Sequence, residues 1–260
     1  MDGGRGLTLI VGIDCAAQEK NVGLAAARFD GTTVRFMDVR PDGRSVCDRI
    51  LALLHGHWQA GPRTALLALD APLGWPRAMG DELGHHAAGR PIRTRPNDLF
   101  RRLTDHVTRA AISKVPMDVG ADRIARAAHA ALRLIGDLEA GLGRRVRLAW
   151  SPAVGPGVRA IEVYPGGFLK ANAVVASGYK ANGAQDLRRA MLESLRGFYP
   201  FEEPDGLDCT AGQHGFDAAL CVLSATDFLQ GHSMAPGPRQ RARAMKEGWI
   251  WTRGPRLPML

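Results

Sequence analysis

Four acidic residues stand where chemistry could be built. Asp14 closes the apolar run "LTLIVGID", and Asp70 closes a second, "TALLALD". Glu162 lies within "AIEVYP", and Asp217 falls in the first turn of the apolar stretch "FDAALCVLSATDFLQG". Ionised carboxylates are almost never fully buried without a partner or a metal. Several of them brought together repel one another unless a cation lies between them. Mg²⁺ or Mn²⁺ is the natural cation, being suited to oxygen ligands. Two such ions about 4 Å apart can activate a water and stabilise the leaving oxygen of a phosphodiester. Each acid alone has a plainer reading. An Asp after a strand is a turn or cap residue, Glu162 is a half-exposed strand residue, and Asp217 complements a helix dipole. The chemistry therefore depends on the four meeting.

The surrounding elements decide whether they can. Residues 7–14 form a near-continuous apolar run, the signature of a buried strand. Residues 21–29 make a second strand. The Asp-Gly of "FDGTTVRF" turns the chain into a third at 33–39. Ser45 is placed to cap a helix that carries Val46, Ile50, Leu53 and Leu54 on one face. The strand ending at Asp70 is stopped by Pro72 and Gly74. Residues 75–145 change character, with Gly/Pro/His-rich sequence followed by helical patterns at 97–112 and 121–140. Then come the strand "VRAIEVYPGG", helices at 166–177 and 184–197, the acidic loop "FYPFEEPDGLDCTAGQHG", an apolar helix stopping at Gly231, and a basic, then aromatic tail. An antiparallel meander followed by crossover units predicts an α/β fold with a mixed sheet flanked by helices. That is the ribonuclease H-like order, shared with each lobe of the actin-like and sugar-kinase ATPases. It places residues 1–260 in one domain, with 75–145 as a helical insertion. Asp14 and Asp70 then lie at the carboxyl edge of the sheet, where open α/β sheets bind ligands.

The segments "VGIDCA", "ALDAPLGWP", "RRLTD", "IEVYP", "GYKA", "FDAALCVLSA" and "EGWIW" occur in this order between Gly12 and Trp251. In this the chain resembles the family called domain of unknown function 429, described as predicted nucleases with a ribonuclease H-like fold. The resemblance implies that Asp14, Asp70 and Asp217 are metal-binding acids, with Glu162 as the fourth. It also draws attention to Arg102 and Asp105 in "RRLTD", Lys180 in "GYK", and Glu247 in "EGWIW".

Read as residues, these last have two readings each. Arg102 and Asp105 are three apart on a helix and either pair with each other or hold a phosphate. Lys180 is a solvated loop lysine or a phosphate contact. Glu247 is a supporting residue or a partner for nearby arginines. His214 shares a turn with Asp217 and is a cap or a proton shuttle, and His85 and His86 lie in the Gly-rich loop. Trp249 and Trp251 alternate about Ile250, which predicts one buried face.

The 260 residues are 45% hydrophobic and 23% charged, an ordinary globular composition. The apolar runs are too short to span a bilayer, and the start "MDGGRG" is unlike a signal peptide, so a cytoplasmic protein is expected. Cys15, Cys47, Cys209 and Cys221 form no CxxC pair and are expected as reduced thiols, with Cys15 and Cys221 as small fillers. The net charge of +8 favours polyanionic partners. Two basic clusters, Arg90 to Arg102 and Arg239 to Lys246, are either solvated faces or a phosphate footprint. The expectation is a metal-dependent phosphodiester hydrolase, a nuclease, that binds one or two Mg²⁺ or Mn²⁺ ions and acts on nucleic acid or a small phosphoester. The alternatives are an ATP-dependent phosphotransferase of the sugar-kinase class and a non-catalytic binding protein on the same fold. Against the phosphotransferase, Asp70 is followed by Ala-Pro-Leu-Gly and not by a glycine–threonine phosphate loop.

Overall fold

The computed structural model describes residues 7–37, 43–61, 63–175 and 177–256. The strands are β1 (Thr8–Asp14), β2 (Gly23–Phe29), β3 (Val34–Met37), β4 (Thr64–Leu69), β5 (Arg147–Leu148), β6 (Gly157–Glu162) and β7 (Phe201–Glu202). The helices are α1 (Val46–Gln59), α2 (Arg77–Leu83), α3 (Pro96–Phe100), α4 (Leu103–Ile112), α5 (Asp122–Leu142), α6 (Pro165–Ala171), α7 (Gln185–Arg196), α8 (Gln213–Leu229) and α9 (Arg241–Glu247).

The strands form one mixed sheet in the order β5-β6-β4-β1-β2-β3-β7, in which β2 alone runs against the others. This arrangement is consistent with a ribonuclease H-like fold. The Asp30 carboxylate closes the β2–β3 turn by accepting the backbone N–H groups of Thr32 and Thr33. Positions 38 and 39 of the expected third strand lie outside the described residues.

Strand alternation divides the core in two. Ile10, Leu66 and Ile161 face one side of the sheet, which α6, α7 and α8 cover. Leu9, Val11, Leu67 and Leu69 face the other, where α1 contributes Ile50 and Leu54, and α5 contributes Ala131 and Leu138. Thus α5, within the expected insertion, is a structural layer of the domain. Ser45 caps α1 by accepting the Asp48 N–H at 3.1 Å, as expected.

Helix α8 is buried all round from Phe216 to Phe228, with the sheet on one side and α6 on the other, which its largely apolar composition permits; its two acids are paired, Asp217 with Tyr179 and Lys180 and Asp227 with Tyr199 and Arg253. Two glycines let it lie directly on the strands. A Cβ on Gly12 would stand 2.1 Å from the Ala218 carbonyl, and one on Gly23 would stand 2.0 Å from the His214 carbonyl. Gly12→Ala is therefore expected to force α8 off the sheet and to cost roughly 1–3 kcal/mol. Urea denaturation measures this, and a wild-type midpoint would refute the close seating.

Four expectations change in detail. The 97–112 helix is broken in two because Arg101 and Arg102 are extended, with Arg102 at φ −83 and ψ 164. The helix expected at 166–177 stops at Ala171, where Ala173 turns to a positive φ of 58. The acidic loop contains an edge strand, β7, too short to show a period. Trp249, Ile250 and Trp251 are buried on both faces, because Ile250 bridges to Glu162 and the two indoles pack into the core.

Candidate acidic site at the sheet edge

Register brings the first two aspartates together. Ile13 pairs with Leu69 in the parallel β1–β4 ladder, and the Asp70 N–H donates to the Ile13 carbonyl at 2.9 Å. Asp14 and Asp70 are thus neighbours at the carboxyl edge. Both continue the alternation of Ile10/Gly12 and Leu66/Ala68, and so face α8. Because Gly12 admits α8 so closely, its first turn delivers Asp217 and His214 to the same place.

His214 Nδ1 donates to Asp14 Oδ2 at 2.6 Å, while the Gln213 amide meets its Nε2 at 3.2 Å. The neutral tautomer with its proton on Nδ1 satisfies both contacts. Asp217, 1% exposed, accepts the Tyr179 hydroxyl at 2.8 Å and the Lys180 ammonium at 2.7 Å. Asp70 has no side-chain hydrogen bond or ion pair among the described residues.

The electrostatics follow from this crowding. Burial pushes the Asp14 carboxyl up to about 6; the His214 hydrogen bond holds it down and the Asp217 charge pushes it further up. Burial, then the charges of Asp14 and Asp217, raise Asp70 well above the usual carboxylate range. Burial opposes the Lys180 ammonium, but Asp217 and then Asp70 and Asp14 outweigh it and raise its pKa. Burial and then the Asp70 and Asp14 charges also raise the Cys15 and Cys221 thiols; Cys221 is a buried filler as expected, whereas Cys15 is half-buried.

Glu162 does not join this group. Leu69 pairs with Glu162, so Val163 is the residue level with Asp70, and Glu162 shares the strand face of Val158 and Ala160. There it receives both guanidinium NH₂ groups of Arg102, at 2.7 and 2.6 Å, and the Leu73 N–H at 3.0 Å. Arg102 is 1% exposed and also binds Asp105 and the Glu247 carbonyl, so it has no donor free for a phosphate. Asp105 accepts the Arg102 N–H and starts α4. Glu247, fully buried, accepts the Arg77 and Leu103 N–H groups and the Arg243 side chain. These four residues form a buried clasp that ties β6, α4, α9 and the 73–77 loop together.

Two further residues order the site: Tyr179, whose only signal in the sequence is its place beside Lys180, and Arg188. The buried Arg188 guanidinium binds the carbonyls of Tyr179, Thr210 and Ala211, which fixes both the Lys180 loop and the approach to α8. No local pattern marks it. His85 and His86 are exposed in the loop after α2.

A groove of about 880 Å³ borders the same strand end, lined by Ile13, Cys15, Val46, His129 and Leu134, but none of the three aspartates lines it. Among the described residues, no three His, Cys, Asp or Glu side chains stand close enough to hold a metal ion as they are placed. No described helix is long and apolar enough to cross a membrane.

No curated protein and no solved structure matches the chain. A family model described as "Protein of unknown function (DUF429)" matches residues 12–241. That span begins at the glycine on which α8 rests and takes in all three aspartates, so the chain belongs to the DUF429 family of proteins of unknown function.

Proposed function

We propose that this chain is a divalent-metal-dependent phosphodiester hydrolase whose ion is held by Asp14, Asp70 and Asp217. The observation that carries this reading is the Asp70 carboxylate, set beside Asp14 at the sheet edge with no side-chain hydrogen bond or ion pair of its own among the described residues; burial and then the charges of Asp14 and Asp217 raise it. A fold gains nothing in stability from such a cluster, whereas a cation site needs it. The donor set fits Mg²⁺ or Mn²⁺, because all three residues offer hard carboxylate oxygens. Loading requires side-chain movement, since among the described residues the three do not stand close enough together to hold an ion as placed. Lys180, 59% exposed at its side chain, is free to swing away from Asp217. When bound, the ion would supply charge stabilisation for the phosphate and lower the pKa of an attacking water.

The chain's own groups do the rest. Tyr179 holds the Asp217 carboxylate, and Arg188 holds the loop that carries Tyr179 and Lys180. Lys180 offers an ammonium to a phosphate oxygen once it leaves Asp217. His214, oriented by Asp14, presents Nε2 for proton transfer. The single sheet, with no second lobe among the described residues, favours this over a two-lobed phosphotransferase.

The test is hydrolysis of bis(p-nitrophenyl) phosphate and of labelled oligonucleotides with Mn²⁺ or Mg²⁺. Wild type is expected to be active and Asp70→Asn to lose at least about a hundredfold, as removal of a few kcal/mol of charge stabilisation implies. Undiminished activity in Asp70→Asn would sink the proposal.

A further inference from the structure

The segments that carry the two basic clusters, some 140 residues apart in sequence, are brought to one flank of the molecule by α2. Helix α2 packs against both α3 and α9. The Arg77 N–H and the Arg243 guanidinium share a single oxygen, Oε1 of Glu247, so the first turn of α2 is pinned to α9. Nearby acids neutralise Arg77, Arg95 and Arg101 through Asp81, Asp98 and Asp118. Arg90, Arg93, Arg239, Arg241 and Lys246 are exposed and make no ion pair among the described residues.

The clasp fixes this flank relative to the acids. Arg102 binds the Glu247 carbonyl at the end of α9 and the Glu162 carboxylate together. Glu162 in turn is the ladder partner of Leu69, the residue before Asp70. The end of α9 is therefore tied, by buried and fully paired groups, to the strand next to the one that ends at Asp70. Unpaired cations kept rigidly beside a phosphodiester-cleaving edge are suited to a chain of phosphates that runs past the scissile one.

Resting on the proposed hydrolase reading, we infer that the α2–α9 flank binds the sugar-phosphate backbone of a nucleic acid and leads it to Asp14, Asp70 and Asp217. Contacts of this kind are electrostatic and independent of base sequence.

The experiment is equilibrium binding of fluorescein-labelled single-stranded DNA, duplex DNA and RNA oligonucleotides to the full chain in EDTA, where no metal-dependent cleavage occurs, across a salt series. Binding is expected to weaken steeply with salt. Arg241→Glu/Lys246→Glu should lower affinity at least about tenfold and reduce the log–log salt slope by about 2. Arg90→Glu/Arg93→Glu tests the same surface from the other cluster, so the result does not depend on α9 alone; circular dichroism confirms the fold of each variant. Which oligonucleotide binds most tightly names the substrate's class. Unchanged binding in both double variants, or preference for anionic vesicles over every oligonucleotide, would overturn the inference. If the flank variants lose binding while Asp70→Asn cleaves as wild type, the surface stands and the proposed site at Asp14, Asp70 and Asp217 falls.

Discussion

Asp14→Asn is expected to melt at a higher temperature than wild type at pH 8 in EDTA. The folded protein raises the Asp14 carboxyl from 3.8 to about 6, so its ionised form is less stable folded than unfolded. Between those values the folded state binds the proton more tightly, and stability falls as pH rises. Below about pH 4 both states are protonated and there is no cost. Above the folded value the cost is complete, at about 3 kcal/mol from the size of the shift. Asparagine removes the charge and keeps an oxygen to accept the His214 proton, so the gain at pH 8 should approach that figure and vanish near pH 4. Divalent metal should invert the ranking. Mn²⁺ at a hundred times its Kd would stabilise wild type by about 2.7 kcal/mol and leave the variant almost unmoved. The Mn²⁺ effect on wild type should also fade as the pH drops through 6, because the ligand must be ionised to bind. Differential scanning fluorimetry across pH, with and without Mn²⁺, measures all of this. A variant that melts below wild type at pH 8 in EDTA would show that the carboxylates are not in mutual conflict.

Arg102→Met is expected to do the opposite and destabilise the protein by about 3–5 kcal/mol, the usual cost of removing one partner from a buried ion pair. The guanidinium makes bonds to both oxygens of Glu162 and both of Asp105. Burial raises the Glu162 carboxyl and Arg102 is what opposes it, so without the arginine the acid is left in an apolar setting with only the Leu73 N–H. The loss should appear as a lower urea midpoint with unchanged slope. Arg102→Met/Glu162→Met should recover part of it, because an apolar pair of similar volume can replace a buried ion pair. A single variant within about 1 kcal/mol of wild type, the range of a surface pair, would contradict the clasp. The two predictions separate acids that strain the fold from acids that hold it.

That separation marks what can be read without coordinates. The apolar runs to Asp14 and Asp70, the Asp-Gly turn, the Ser45 cap and the apolar helix carrying Asp217 are local patterns, and local patterns fix local elements. Their order was enough to anticipate a mixed sheet with the two aspartates side by side. Glu162 was out of reach for the same kind of reasoning. Its strand was recognisable, but strand side chains alternate with a period of 2, and a shift of one residue reverses the face. Only the β4–β6 register, Leu69 opposite Glu162, sends this carboxylate away from Asp70 and into the grip of Arg102.

By itself, then, the sequence determined the elements, their order and three of the acids that share an edge, because hydrophobic period and turn chemistry act over a few residues. Tertiary structure alone decided which charges face each other. It set Arg102 and Glu247 to bracing, seated α8 on Gly12 and Gly23, and joined two distant basic segments on one flank. Those outcomes depend on register and on close approach between distant parts of the chain, and neither leaves a mark in the residues nearby.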